Sequence, residues 1–207
     1  MAVLRELGYL RTGYQLRGAV TPVPQGPHRI VLLGDVQDEG IDWERVTRTH
    51  LRERTNDFLT SGDIIIRSRG AHYGVSLVSD PPDGTTVAAP LFLLTVYRSD
   101  IMAEYVTWYL NRPTTQSILE NMAQGTSLPT ISIRDLAGLE IPVPPLETQQ
   151  EIAEIVYLLK QERDLSKRLI QRRAQQADAI INDFAQGKRR KKALSDDPPR
   201  RMITFED

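Results

Sequence analysis

Residues 139–187 constrain this chain more than any other stretch. They begin Leu-Glu-Ile-Pro-Val-Pro-Pro-Leu-Glu-Thr-Gln-Gln-Glu-Ile-Ala and continue in helix-forming residues up to Gly187. Leu139-Glu140-Ile141 is a short strand signal, and Pro142, Pro144 and Pro145 force an extended exit from it, because proline fixes φ and biases its predecessor away from helix. Thr148 with Glu151 has capping-box spacing, which predicts a helix start near Thr148, and Gly187 supplies a residue suited to close it. Residues 148–186 are 39 positions, a rod of about 58 Å at 1.5 Å per residue. Ordinary globular helices run roughly 8–20 residues. A domain of this size cannot wrap such a rod, so it must project, and a projecting helix needs a partner.

Its apolar positions fit that expectation. Ile155, Leu158 (or Leu159), Leu165, Leu169, Ala177, Ile180 (or Ile181) and Phe184 recur at spacings of three and four or their sums, the pattern of a coiled-coil seam. Glu162, Arg172 and Arg173 interrupt it. A surface helix packed on its own domain is the alternative, and the length argues against it.

The rest of the chain divides accordingly: a globular domain over 1–146, the spacer and dimerisation helix over 147–187, and a basic tail over 188–207. With 40% hydrophobic residues the domain has enough material for a core, and the absence of cysteine excludes a disulfide scaffold and thiolate metal sites. The first residues show no signal-peptide pattern. The longest apolar run, Val87 to Leu94, contains Pro90 and is far too short for a membrane span. The expectation is a soluble cytoplasmic protein with no membrane partner. Residues 187–207 carry seven basic and four acidic side chains, leaving 19 against 23 in residues 1–186. Any contact between the body and DNA must therefore use a local patch or a basic partner.

Along the domain, residues 3–20 read as a short element followed by a glycine-punctuated loop, and 22–28 as a turn region. Arg29 to Leu33 is a strand candidate. Gly62-Asp63 turns into Ile64-Ile65-Ile66, a β-branched run that reads as a buried strand. Val75 to Val78 and Thr86 to Val96 read as two strands joined by a hairpin turn, Ser-Asp-Pro-Pro-Asp-Gly. Ile101 to Asn111 and Thr114 to Met122 have helical spacing with Pro113 as the breaker, and a short turn passes through Arg134-Asp135-Leu136. Strands and helices mix without βαβ alternation, so the expected class is α+β with a mixed or antiparallel sheet and a long projecting C-terminal helix.

Tests for catalysis fail. His28, His50 and His72 lie far apart with no cysteine partners, so no metal site is expected. The only Gly-Lys pair, at 187–188, is followed by arginine rather than the serine or threonine of a phosphate loop. Metal-dependent nucleases of the common kind place an acidic residue two positions before a lysine. Here those positions hold Leu158, Leu165, Gln186, Arg189 and Arg190. Amino-methyltransferases follow Asp/Asn-Pro-Pro with an aromatic that stacks on the flipped base, whereas Asp83 follows Asp80-Pro81-Pro82. The chain is expected not to be an enzyme and to carry no cofactor. What remains is the stretch after the buried strand, where Arg67, Arg69, Gly70, His72 and Tyr73 combine guanidinium forks, close backbone approach and a ring.

Taken together the pieces resemble the specificity subunit of type I restriction-modification systems, in a half-size form with one target-recognition domain. The matching residues are Thr12-Gly13-Tyr14 with Arg17-Gly18, Asn56 to Leu59, Gly62 to Gly70, Ala103 to Asn111, Gly125-Thr126-Ser127, and Leu139 to Ala153. The resemblance implies a domain reading one half of a bipartite DNA site and a helix that acts as spacer and methyltransferase dock. It implies double-stranded DNA, an S-adenosylmethionine-dependent methyltransferase subunit, and a restriction or translocase subunit as partners. The expected DNA-facing residues are Arg17, Arg67, Arg69, His72, Tyr73, Gly125, Thr126 and Ser127. Two copies with antiparallel helices would bury the seam in an isologous interface and read a palindromic site. The rod would span on the order of 17 base pairs at about 3.4 Å each. An adaptor that uses the same helix without reading DNA is the alternative.

Overall fold

The computed structural model describes residues 1–37, 40–51, 58–70, 72–125 and 127–186. Asn56, Thr126, Gly187 and the basic tail fall outside them. The chain divides into two units, Met1–Tyr157 and the part from Leu158 onward.

The isoleucine run forms β7 (Ile64–Arg67), and Ile64, Ile65 and Ile66 are fully buried. β2 (Gly8–Thr12), β8 (Val75–Leu77) and β10 (Leu91–Val96) join it in an antiparallel sheet of order β2-β10-β7-β8. Successive side chains point to opposite faces. Ile64, Ile66, Phe92 and Leu94 therefore share one cluster with Tyr105, Val106, Leu110 and Leu119, while Ile65, Leu91 and Leu93 share another with Val31, Val36, Val46 and Val87. A strand covered on both faces needs no polar alternation, which explains the unbroken β-branched run. At the head of β7, Asp63 is buried yet satisfied: its carboxylate accepts from Thr95 Oγ1 at 2.6 Å and from the Thr60 amide at 2.8 Å. Asp63→Ala is expected to lower unfolding free energy by roughly 2–3 kcal/mol, read by urea denaturation, because it strands buried donors.

α2 (Ala103–Asn111) and α3 (Pro113–Met122) contribute to the first cluster. Pro113 opens α3, where its missing N–H has no helical partner to lose. A second sheet contains β3 (His28–Val31), β6 (Thr47–Thr49) and β9 (Thr85–Val87) in the order β6-β3-β9, with β3 antiparallel to β6 and parallel to β9. β4 (Val36–Gln37) pairs with β5 (Gly40–Ile41). The class is α+β.

Three local expectations change. Thr86 to Val96 is two strands in different sheets, because Pro90 has no N–H with which to continue a ladder. Ser79 to Gly84 is consequently a connection between sheets and not a hairpin turn. The turn at Arg134-Asp135-Leu136 is a short helix, α4 (Ile133–Ala137), capped where the Asp135 amide donates to Ser132 Oγ at 3.1 Å.

The N-terminus is tied to the entry of the long helix. β1 (Ala2–Val3) pairs with β11 (Glu140–Ile141), and the one-turn α1 (Leu4–Leu7) follows, its Leu4 amide donating to Leu139 O at 2.8 Å. α5 (Leu146–Ala185) has 40 residues. It starts two residues before Thr148 because a tertiary anchor overrides the local cap: Gln149 is fully buried. Its Nε2 donates to Asp100 O at 2.9 Å and to Pro144 O at 2.7 Å, and its Oε1 accepts from the Met102 amide at 2.9 Å. Gln149 and Ile152 pack into the first unit, which runs to Tyr157. Gln149→Leu is expected to cost roughly 3 kcal/mol in chemical denaturation, since two carbonyls and an amide lose their partner.

Beyond that anchor the apolar stripe lies open. Ile155, Leu158, Leu165, Leu169, Ile180 and Phe184 are between 43% and 64% exposed, and Ala177 is exposed as well.

Candidate nucleic-acid interface

β7 delivers Arg67 to a loop that returns to β8, and the loop is held by hydrogen bonds at both ends. The Arg67 amide donates to Gly74 O at 3.1 Å, Ser68 Oγ donates to Pro90 O, and the Ile131 amide donates to Ser68 O at 2.7 Å. Two side-chain amides substitute for a neighbouring strand beside Tyr73 and Val75. Asn111 accepts from the Val75 amide at 3.0 Å and donates to Val75 O at 2.7 Å. Gln116 accepts from the Tyr73 amide at 3.3 Å and donates to Tyr73 O at 3.1 Å and Leu110 O at 2.7 Å. Gly70 has φ +121°, a conformation that L side chains rarely adopt.

Tyr73 does not face solvent. The residue is only 2% exposed and belongs to the core, and its hydroxyl donates to Pro129 O at 3.3 Å. Burial, with Glu120 nearby, raises the phenol pKa above its ordinary value. The correction has a physical reason. The Gln116 side-chain amide on α3 bonds both the N–H and the C=O of Tyr73, and the ring packs into the core beneath the loop.

The remaining residues separate into two places. The loop from Gln124 to Thr130 closes on itself through a reciprocal pair of backbone bonds at 3.0 and 2.9 Å. A bridge between Arg69 and Thr130, and the Tyr73 to Pro129 bond, join it to the first loop. Arg67, Arg69 and His72 are thereby placed on one loop, with Gly125 and Ser127 on the adjoining one. Both Gly125 and Ser127 are exposed, and Gly125 has φ +108°. Arg17 belongs elsewhere. It is exposed on a cleft of about 300 Å³ whose wall includes Tyr14, Val20, Thr49 and His50, and none of the residues of the two loops. Gly13 positions that wall: a Cβ there would lie 2.6 Å from the Ala88 carbonyl carbon, so only glycine lets the chain run this close to the link into β10.

Charge distinguishes the first loop. Arg67 and Arg69 are partly exposed, and the Nε of each is buried with no hydrogen-bond partner. Neither guanidinium has a carboxylate partner among the described residues. Arg98 shows the contrast: its Nε donates to Asp100 at 2.8 Å, and this hydrogen bond holds the Asp100 carboxyl below its ordinary range. Two uncompensated positive groups on a pinned loop form a site for an anion or for an acceptor-rich surface.

Sequence reasoning did not single out Asn111, Gln116 or Gln149 as the clamps. The available signal was an uncharged amide on the apolar face of a helix, such as Gln149 three positions before Ile152. Among the described residues no group of three or more His, Asp or Glu side chains could hold a metal ion, and no helix is long and apolar enough to cross a membrane.

Residues 40–172, well over half of the 207, match the family model described as the type I restriction modification DNA specificity domain. The chain belongs to this family. Specificity subunits of the family are not themselves catalytic; catalysis lies in partner subunits of the complex. Solved structures share the fold. The type I restriction-modification system S subunit from M. genitalium superposes with a TM-score of 0.60 at 19% identity, over 88% of this chain and 44% of that one. The HsdS subunit from Thermoanaerobacter tengcongensis gives 0.57 at 17%, over 80% and 38%. A chain from a study of complex assembly and conformational transition in the type I R-M system gives 0.59 at 17%, over 89% and 43%. This specificity-domain chain thus spans less than half the length of each of those chains.

Proposed function

We propose that this specificity-domain chain reads one half of a bipartite DNA site as a non-catalytic subunit of a type I-like restriction-modification complex in the cytoplasm. The observation that carries this reading is the pair Arg67 and Arg69, uncompensated in charge and held on a loop clamped by Asn111 and Gln116. Rigid presentation of guanidinium groups suits a nucleic acid, whose phosphates and base edges are acceptors. His72, Gly125 and Ser127 belong to the same surface. Thr126, outside the described residues, stands between the last two in sequence, and Arg17 on its separate cleft would make a second contact.

The exposed stripe of α5 supports pairing with a second copy, each contributing one recognition domain to a two-part site. A separate methyltransferase subunit, which binds S-adenosylmethionine, would dock on the assembled pair, with a restriction or translocase subunit as a further partner. The purified chain is expected neither to bind S-adenosylmethionine in calorimetry nor to transfer methyl groups to DNA. Methyl transfer by a rigorously pure sample would overturn that assignment.

The same open stripe also favours a second reading, a protein–protein adaptor that does not bind DNA. Fluorescence anisotropy on random duplex pools, with and without a cognate methyltransferase, separates the two. The recognition reading predicts binding that strengthens with the methyltransferase; the adaptor reading predicts none in either case.

A further inference from the structure

The two guanidinium groups differ from ordinary surface arginines in which of their nitrogens remain available. At both Arg67 and Arg69 the Nε is sealed from solvent, while the terminal Nη atoms have no hydrogen-bond partner among the described residues. The seat of Arg67 is made by two glycines. A Cβ at Gly74 would lie 3.7 Å from Arg67 Cδ, and one at Gly70 would lie 3.4 Å from its Nη2. The stem therefore lies along its own loop, within van der Waals reach of both glycines. Arg69 is held by its backbone bridge to Thr130.

A phosphate contact needs a positive charge but little orientation, and mobile exposed side chains supply it well. A fixed stem that presents only a planar Nη pair suits a target with two acceptors at a set separation. Among base edges in the major groove, guanine alone offers two adjacent acceptors, O6 and N7, and the arginine fork pairs with both. Adenine opposes the fork with its N6 donor. We infer that Arg67 and Arg69 read guanine in the half-site rather than neutralise phosphate. This inference rests on the DNA-recognition reading above and names what that site takes.

The test is a selection of randomised duplexes by the full chain with its methyltransferase, followed by substitution of 7-deazaguanine at each enriched guanine. That base lacks the N7 acceptor and keeps its Watson–Crick pairing. Guanine enrichment, and loss of affinity by about tenfold or more on 7-deaza substitution, are expected at positions whose preference disappears in Arg67→Lys or Arg69→Lys. An equal loss at all sequences in the lysine or alanine variants, or full tolerance of 7-deazaguanine, would overturn the inference while leaving DNA recognition intact. No enrichment of any sequence would overturn both. The modified DNA keeps the test decisive should either variant misfold.

Discussion

Replacing Leu165 and Leu169 together with glutamate is expected to yield monomers that no longer distinguish a two-part site, with the fold of the Met1–Tyr157 unit unchanged. Leu165 is 64% and Leu169 is 50% exposed in the single chain. Fully burying a large aliphatic side chain contributes roughly 1.5–3 kcal/mol. A two-fold pair counts each leucine twice, so the double change removes on the order of 5 kcal/mol or more from association. That is more than a thousandfold in the dimer constant. Sedimentation equilibrium reads the mass, and circular dichroism with urea titration reads the fold. If the unmodified chain is monomeric at tens of micromolar, alone and with its methyltransferase, the pairing proposal is wrong.

The second large effect lies on the recognition loop. Arg67→Ala and Arg69→Ala together are expected to weaken binding to the selected duplex by about 1–3 kcal/mol per residue, roughly fivefold to 150-fold for each. Stability should change little, since neither guanidinium is bonded within the described chain. Arg98→Ala serves as the control, because its charge is already matched by Asp100, and DNA affinity should persist. An unchanged affinity and salt slope in the double variant would remove the loop from the interface.

What could be read from sequence followed from local rules. The run Ile64-Ile65-Ile66, the proline that opens α3 and the forty-residue helix each carry their signal within a few neighbouring residues. The errors came where distant residues decide. Tyr73 sits in a stretch of Arg, Gly and His that reads as an open loop, and its burial depends on Gln116, 43 positions away. The start of α5 is set by Asp100 and Met102 gripping Gln149, and the Thr148 capping box cannot register that. The strand expected over Thr86 to Val96 breaks at Pro90, a signal within the run itself, whereas the parallel pairing of β9 with β3 is one that only the tertiary fold specifies. The candidate site was half legible for the same reason. The residue types marked the loop, but which arginines lack a carboxylate partner is a property of the packed structure.

The central claim, that the chain reads DNA sequence, is tested most directly by equilibrium competition. The full chain with its methyltransferase would be titrated with its selected duplex and with a scrambled duplex of equal length, at physiological ionic strength. The account predicts a preference of about a thousandfold or more, the lower end of the range for specific over non-specific binding. A ratio near one, with both duplexes bound equally and both lost together as salt rises, would contradict it.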